Sequence, residues 1–177
     1  MSSGSIAVVI LAAGKGTRMK SALPKVLHEV AGKAMVQHVV DAATSLAADN
    51  TVIVYGHGGD QVKDIVNGDH LQWAEQAEQL GTGHAVAQAM PLVKEDTVLV
   101  LYGDVPLIRP ETLREFVQCV DDSTLALMTL TLDDPSGYGR IVRDGQNNVQ
   151  RIVEQKDASE AELSIPEINT GILACTR

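Results

Sequence analysis

The sequence is poor in aromatic residues, which make up 3% of its 177 residues. Its core must therefore be aliphatic, which suits a parallel sheet covered by helices better than a β-sandwich. The apolar fraction of 45% and the charged fraction of 21% are those of an ordinary globular protein. They exclude wholesale disorder and collagen-like or coiled-coil structure.

Cysteine is also scarce, and long hydrophobic runs are absent. Cys119 and Cys175 form neither a CxxC pair nor a zinc-binding spacing, and we expect both to be small core residues. Two such thiols fit a reducing compartment. The apolar run at residues 6–13 is too short for a signal peptide or a transmembrane helix. The sequence therefore predicts a soluble, cytoplasmic protein with no membrane partner.

Positive charge is in short supply except at the N-terminus. The net charge of −9 argues against non-specific binding of nucleic acid or of an anionic membrane. Residues 1–33 nevertheless carry a net +4, whereas the remainder carries −13. This asymmetry indicates one anion-binding site on an acidic body, although chance clustering is the alternative.

Strand and helix patterns alternate through residue 120. Strands are predicted at residues 6–13, 51–55, 71–74, 97–102, 125–132 and 168–174, with a hairpin joining 141–142 to 149–153. Helices are predicted at residues 35–46, 60–66, 82–90 and 111–120. The alternation predicts an α/β, Rossmann-like fold: a mixed, mostly parallel sheet with helices on both faces. No linker or repeat separates domains, so we expect one domain over residues 1–177.

A glycine-containing cationic loop follows the first strand. Gly14 and Gly16 flank Lys15, and Arg18 and Lys25 follow. Ligands of open α/β sheets bind beyond the carboxyl ends of the strands, where glycine backbone can approach a phosphate. The loop is neither a Walker A motif nor a dinucleotide fingerprint, because Met19 stands where each requires glycine. From these residues alone, a structural turn and a phosphate-binding loop both remain open.

The longer string LAAGKGTRM at residues 11–19, with LPK at residues 23–25, resembles the signature of sugar-1-phosphate nucleotidyltransferases. Residues 56–60, 75–85, 102–107, 137–141 and 167–171 extend the resemblance. Together they resemble the uridyltransferase half of the bacterial bifunctional N-acetylglucosamine-1-phosphate uridyltransferases and glucosamine-1-phosphate acetyltransferases. The resemblance covers residues 6–174.

This resemblance implies a reaction in which UTP and N-acetylglucosamine-1-phosphate give UDP-N-acetylglucosamine and pyrophosphate, with Mg²⁺. The product would supply peptidoglycan and lipopolysaccharide precursors. The parent enzyme would also acetylate glucosamine-1-phosphate and form a homotrimer, both through a β-helix domain. The resemblance implies that this chain is a C-terminally incomplete nucleotidyltransferase domain. We expect weak uridyltransferase activity at most, because the second metal ligand and part of the sugar pocket of the family would be absent. The chain shows no hexapeptide repeat, so we expect no acetyltransferase activity from it.

The resemblance also implies the site residues. Lys15 and Arg18 would hold the triphosphate, Lys25 would neutralise developing phosphate charge, and Asp104 would bind the metal. The uracil would contact Leu11, Ala12, Ala13, Gly14, Gln76, Gly81 and Thr82. Tyr102, Gly103, Gly139, Glu154 and Asn169 would line the sugar side. A second metal ligand of the family, an asparagine, would lie beyond Arg177.

Two other functions remain open. One is a nucleotidyltransferase that uses dTTP, CTP or GTP with another acceptor. The other is a nucleotide-binding module without turnover, against which the joint presence of Lys15, Arg18, Lys25 and Asp104 argues.

Overall fold

The structure is a computed structural model that describes residues 4–14, 16, 19–56 and 59–177. The chain forms two compact units. The first comprises residues 1–126 and 173–177, and the second comprises residues 127–172. The prediction of one domain stays a prediction, and the two units are described separately below.

The first unit is an α/β structure built on parallel strands. Its strands are β1 (Ile6–Leu11), β2 (Glu29–Val30), β3 (Lys33–Ala34), β4 (Asn50–Tyr55), β5 (Leu71–Glu75) and β6 (Thr97–Tyr102). Its helices are α1 (Met35–Ser45), α2 (Asp60–Ile65), α3 (Thr82–Ala89) and α4 (Pro110–Val117). The parallel strands lie in the order β5-β4-β1-β6, and residues 173–176 pair antiparallel with β6. The predicted mixed, mostly parallel sheet is confirmed.

Both faces of this sheet are covered. Residues 7–10 of β1 are all fully buried, which explains why the strand is a continuous apolar run rather than an alternating one. Ala7 and Val9 belong to a core cluster with Ala85 and Ala89 of α3. The side chains between them point to the opposite face, where α1 packs on β1 and β6. The predicted helices on both faces are confirmed.

Glycines set the ends of two elements near the carboxyl edge of the sheet. Gly103 follows β6 and donates its N–H to the Leu11 carbonyl at 3.0 Å, and a Cβ on this glycine would lie 3.3 Å from that same oxygen. Gly81 precedes α3 with φ of 103°, a conformation that side chains disfavour. Close backbone approach and a left-handed turn therefore place the loops that follow β6 and precede α3.

The second unit is antiparallel. Its elements are β7 (Ala126–Thr131), β8 (Arg140–Arg143), β9 (Val149–Val153), a short helix α5 (Glu160–Leu163) and β10 (Glu167–Thr176), whose last residues belong to the first unit. β8 and β9 form the predicted hairpin, and β10 pairs with both β8 and β7. Most of β9 is exposed, so this unit buries little apolar surface along that strand.

Several sequence-based expectations differ from the structure. Cys175, expected in the core, is only partly buried. Cys119 is exposed, so its prediction as a core residue was wrong: α4 ends at Val117, earlier than expected, and Cys119 falls in the turn beyond it. The β2–β3 hairpin and α5 were not predicted. Within the described part of the chain, no helix has the length and apolarity needed to cross a membrane.

Candidate functional site

A pocket of about 350 Å³ lies in the first unit, at the carboxyl edge of the parallel strands. It brings together nine of the predicted site residues and three others. The predicted residues are Leu11, Ala13, Gly14, Lys25, Gln76, Gly81, Thr82, Tyr102 and Asp104; the others are Val26, Gln79 and Ala85. Ala12 and Gly103 do not line it: both are buried and their N–H groups donate to backbone carbonyls. Residues from three strand ends and the start of α3 thus converge on one cavity, as expected for a switch-point site.

One end of the pocket carries an ion pair. Lys25 lies on a single 3₁₀ turn that follows Pro24, and Asp104 lies in the turn after β6. The Lys25 Nζ is 2.5 Å from Asp104 Oδ2, and the two side chains are 41% and 28% exposed. A partly exposed pair of this kind contributes only about 0–1 kcal/mol to stability. A ligand with several negative charges can therefore take the Lys25 ammonium from Asp104 at little energetic cost.

The glycine loop passes directly against Lys25. Gly16 has φ of +54°, and a Cβ at this position would lie 2.6 Å from the Lys25 Cβ. Its carbonyl accepts a hydrogen bond from the Met19 N–H at 2.8 Å. Glycine is therefore required at position 16 both for its left-handed backbone and for room beside Lys25. The predicted phosphate-binding residues Lys15 and Arg18 lie outside the described residues, and their roles stay predictions.

The other end of the pocket is formed by amides. Gln76 is 4% exposed, and its Nε2 lies 3.1 Å from the Gly81 carbonyl and 3.1 Å from His84 Nδ1. Gln79 donates from Nε2 to the Ala13 carbonyl at 2.5 Å. Gly56 makes this contact possible, because a Cβ there would lie 2.8 Å from the same carbonyl. Sequence reasoning missed Gln79 as a site residue: its one signal was membership of the 75–85 segment.

The metal-binding capacity of the pocket rests on Asp104. Its Oδ1 accepts no hydrogen bond from the described residues, and the side chain lines the cavity. No group of three or more His, Cys, Asp or Glu side chains suited to a metal ion occurs in the described part of the chain. A single carboxylate fits Mg²⁺, which is typically held by one or two carboxylates together with phosphate oxygens and water. A single carboxylate does not fit a structural zinc site, which needs four protein ligands.

Three further predicted residues come together within the second unit. The Asn169 N–H donates to the Gly139 carbonyl at 2.8 Å, and a Cβ on Gly139 would lie 3.3 Å from Glu154 Oε1. Glycine at position 139 therefore leaves room for the Glu154 carboxylate, and the Asn169 backbone borders the same residue. Buried Arg140 donates to the Tyr138 carbonyl and fixes this loop.

Comparison with known proteins supports the family resemblance that the sequence motifs indicate. The MobA-like NTP transferase domain family matches residues 8–141. The chain is 86% identical over 173 residues to the bifunctional protein GlmU of Alcanivorax borkumensis, covering 98% of this chain and 38% of that protein. It is 59% identical over 170 residues to the bifunctional protein GlmU of Stutzerimonas stutzeri, covering 96% of this chain and 38% of that protein. The resemblance to a bifunctional bacterial enzyme is confirmed.

Solved structures share the fold at low sequence identity. A UDP-glucose pyrophosphorylase complexed with UDP-glucose matches with a TM-score of 0.77 and 17% identity, over 97% of this chain and 76% of that chain. HddC from Yersinia pseudotuberculosis, complexed with GMP-PN, matches with a TM-score of 0.72 and 24% identity, over 96% of this chain and 76% of that one. These likenesses confirm the nucleotidyltransferase fold.

The chain spans about two-fifths of the length of the curated relatives it matches, at 38% of each. The domain family, in contrast, matches more than half of this chain, from residue 8 to residue 141. The chain belongs to the family of MobA-like NTP transferase domains.

Proposed function

We propose that this chain carries a nucleotidyltransferase site that joins UTP to N-acetylglucosamine-1-phosphate, forming UDP-N-acetylglucosamine and pyrophosphate. The supporting observation is the Lys25–Asp104 pair at 2.5 Å, set in a pocket whose other end is lined by Gln76, Gly81 and Thr82. A cationic end and an amide-lined end in one cavity suit a nucleotide, which has a polyanionic chain and a hydrogen-bonding base.

The reaction needs positioning and charge neutralisation rather than a nucleophilic side chain. A phosphate oxygen of the sugar phosphate attacks the α-phosphorus of UTP in line, a new P–O bond forms, and pyrophosphate leaves with the electrons of the broken bond. Lys25 is the described cation closest to this chemistry, since its ammonium lies in the pocket next to Asp104. We assign to it the stabilisation of negative charge that develops on the transferring phosphate. Lys15 and Arg18 remain proposed partners of the triphosphate.

Asp104 would hold Mg²⁺ in this pocket. When bound, the ion supplies a Lewis acid that neutralises phosphate charge. Asp104 can contribute one carboxylate through Oδ1, which is free of hydrogen bonds from the described residues, and before a ligand binds it holds Lys25 at the pocket through Oδ2. One carboxylate would therefore position two of the proposed positive charges, the Lys25 ammonium and the metal ion.

The nucleobase and the sugar have separate sets of proposed contacts. Gln76, Gly81 and Thr82, together with Leu11, Ala13 and Gly14, would receive the uracil. Tyr102, proposed for the sugar, lines the same pocket. Gly139, Glu154 and Asn169 of the second unit are also proposed for the sugar, because a carboxylate and an amide side chain there can hydrogen-bond to sugar groups.

The relatives named bifunctional protein GlmU suggest a wider role for the product of this reaction. We propose that the UDP-N-acetylglucosamine made here serves peptidoglycan and lipopolysaccharide precursors in the cytoplasm. Acetyl transfer to glucosamine-1-phosphate and homotrimer formation are proposed for a longer protein and are not assigned to the described residues.

The test is pyrophosphate release from UTP and N-acetylglucosamine-1-phosphate with Mg²⁺, measured on this chain and on the corresponding full-length protein. Lys25→Ala and Asp104→Asn are each expected to lower kcat/KM by about 100-fold or more, since each removes a group aimed at phosphate charge. Substituting dTTP, CTP or GTP in the same assay tests the alternative nucleotidyltransferases.

A matched control lies outside the pocket. Lys33 and Asp41 form an ion pair with the same 2.5 Å separation and similar exposure, 46% for each side chain. Lys33→Ala and Asp41→Asn should leave kcat/KM within about twofold. Equal losses in both pairs would show that general destabilisation, rather than phosphate chemistry, explains the Lys25 and Asp104 effects. If neither this chain nor the full-length protein released pyrophosphate while UTP still bound, the alternative of a nucleotide-binding module without turnover would be favoured.

A further inference from the structure

The side-chain amide of Gln76 has its orientation fixed by two neighbours. Its nitrogen lies 3.1 Å from the Gly81 carbonyl oxygen, which can only accept a hydrogen bond. The amide nitrogen, rather than the amide oxygen, must therefore face Gly81. The same nitrogen lies 3.1 Å from His84 Nδ1, so its second hydrogen points to the imidazole ring.

This arrangement selects one tautomer of His84. Because Nδ1 accepts from Gln76, the ring proton must reside on Nε2. Nε2 lies 3.2 Å from the side-chain amide of Gln88, one turn later on α3. In the structure the Gln88 amide nitrogen faces His84 Nε2 at 3.2 Å and also lies 3.4 Å from the His84 carbonyl oxygen. An Nε2–H donor is satisfied when the Gln88 amide turns by 180° about its last side-chain torsion, which presents its oxygen and gives up these two nitrogen contacts. Gln88 can thus hold the tautomer that Gln76 requires.

Both amide hydrogens of Gln76 are then used within the protein, and its oxygen is left over. Gln76 lines the pocket, and its Oε1 accepts no hydrogen bond from the described residues. A ligand in the pocket meets an acceptor at this position.

We propose that His84 is a positioning residue that locks Gln76 with its amide oxygen toward the ligand, and that this lock selects a nucleobase whose ring edge carries an N–H over one whose ring nitrogen is unprotonated. The inference rests on the proposed function, because it takes the pocket to be the nucleobase site. It adds a reason for base selection that Gln76 alone does not supply.

A lock is needed because a freely rotating glutamine amide does not discriminate between uracil and cytosine. Its two ends exchange by rotation, so it can accept from the N3–H of uracil or donate to the bare N3 of cytosine with equal ease. A locked amide offers the oxygen only. Uracil then gains a hydrogen bond, whereas cytosine brings two acceptors together and leaves both without a partner, which is costly in a buried site.

The first test measures binding of UTP and of CTP to this chain by calorimetric titration, without acceptor sugar. His84→Ala is expected to lower the UTP-to-CTP affinity ratio by about tenfold, mostly through tighter CTP binding, because an unlocked Gln76 amide can turn its N–H toward the bare N3 of cytosine and one buried hydrogen bond is at stake. His84→Asn is the matched variant: its Oδ1 branches from Cγ as Nδ1 does and can accept from Gln76, so the ratio should stay within about twofold of the native value.

A second test needs no variant. Nitrogen-15 NMR of the native imidazole should show His84 Nδ1 without a proton and Nε2 with one. A proton on Nδ1 would overturn the lock, as would an unchanged UTP-to-CTP ratio in a folded His84→Ala protein that still binds UTP. Failure of the native chain to bind either nucleotide would instead overturn the proposed function, and with it the base selection, while the NMR result would still decide the tautomer.

Discussion

The two units of this chain both pair their strands through the backbone, but they differ in the side-chain contacts that surround those strands. In the first unit, residues 7–10 of β1 are fully buried and form a continuous apolar run. In the second unit, four of the five residues of β9 are exposed, and ion pairs on the surface link β8 to β10 and β9 to α5. Arg143 and Glu167 make two parallel contacts of 2.7 Å, and Arg151 pairs with Glu162.

The candidate site residues of the two units are therefore held in place by different contacts. The pocket of the first unit lies at the end of a rigid aliphatic sheet, so a few loop residues can be held in place by the strands beneath them. The loop of the second unit that contains Gly139 depends on directed polar contacts: buried Arg140 donates to the Tyr138 carbonyl, and Gln155 accepts from the Gly137 N–H. We therefore expect core truncations to damage the first unit most, and changes of polar groups or of pH to act on the second.

The largest effect on stability should come from the apolar sheet. Leu99, in β6, is fully buried, whereas Leu130, in β7, is 52% exposed. Leu99→Ala should lower the free energy of unfolding by about 2–5 kcal/mol, because it removes buried methyl groups and leaves a cavity. Leu130→Ala should change it by about 0.5 kcal/mol or less. Urea unfolding of both variants measures the contrast, and similar losses would contradict the division between the units.

A smaller effect is expected from glycine turns. Gly16→Ala forces a side chain into a left-handed backbone, at a cost of about 1–2 kcal/mol. It also places a Cβ 2.6 Å from that of Lys25, so it should displace the lysine and reduce kcat/KM. Gly145, in the β8–β9 turn, has no heavy atom within 4 Å of its ideal Cβ position and serves as the control. If Gly145→Ala were as damaging to turnover as Gly16→Ala, close packing against Lys25 would not be the cause.

The smallest effect should be a pH dependence of the second unit. Hydrogen bonds from the Ser159 side chain and backbone, together with Arg151, lower the pKa of Glu162 from its ordinary 4.5 to about 2. A carboxyl whose pKa is depressed in the folded state stabilises the fold above its unfolded pKa, and that contribution is lost as the pH falls. The native chain should therefore lose this contribution between about pH 4.5 and pH 2.

Glu162→Gln isolates that contribution from the other carboxyls. The variant should be less stable near neutral pH, and its difference from the native chain in thermal midpoint should shrink as the pH is lowered. A difference that stays constant down to pH 2 would show that the Ser159–Glu162 capping box contributes through shape rather than charge.

The parts of the fold that the sequence predicts are those with strong hydrophobic patterns. The strand at Thr97–Tyr102 matches its predicted bounds, because an apolar run ends at a glycine. The β2–β3 hairpin has strands of two residues, too short for any periodicity, and turns through Ala31 and Gly32 at positive φ. Helix α5 is four residues long, and its one signal is the spacing of Ser159 and Glu162.

Some features of the candidate site could likewise be predicted from the sequence and others could not. Lys25, Gln76 and Asp104 were predicted from motifs, but 79 residues separate Lys25 from Asp104 in sequence, and only the order of β1 and β6 brings them within 2.5 Å. The role of His84 has no sequence signal, because it depends on which end of the Gln76 amide faces Gly81. Side-chain orientation within a pocket follows from three-dimensional contacts that composition and spacing do not contain.

We propose that a nucleoside triphosphate occupies the pocket from Gln76 to the Lys25–Asp104 pair. A crystal structure of this chain with UTP and Mg²⁺ tests it most directly. We expect uracil within hydrogen-bond distance of Gln76 Oε1 and phosphate oxygens within reach of Lys25 Nζ, with the metal on Asp104. UTP bound elsewhere on the molecule, with Lys25 still paired to Asp104, would contradict it.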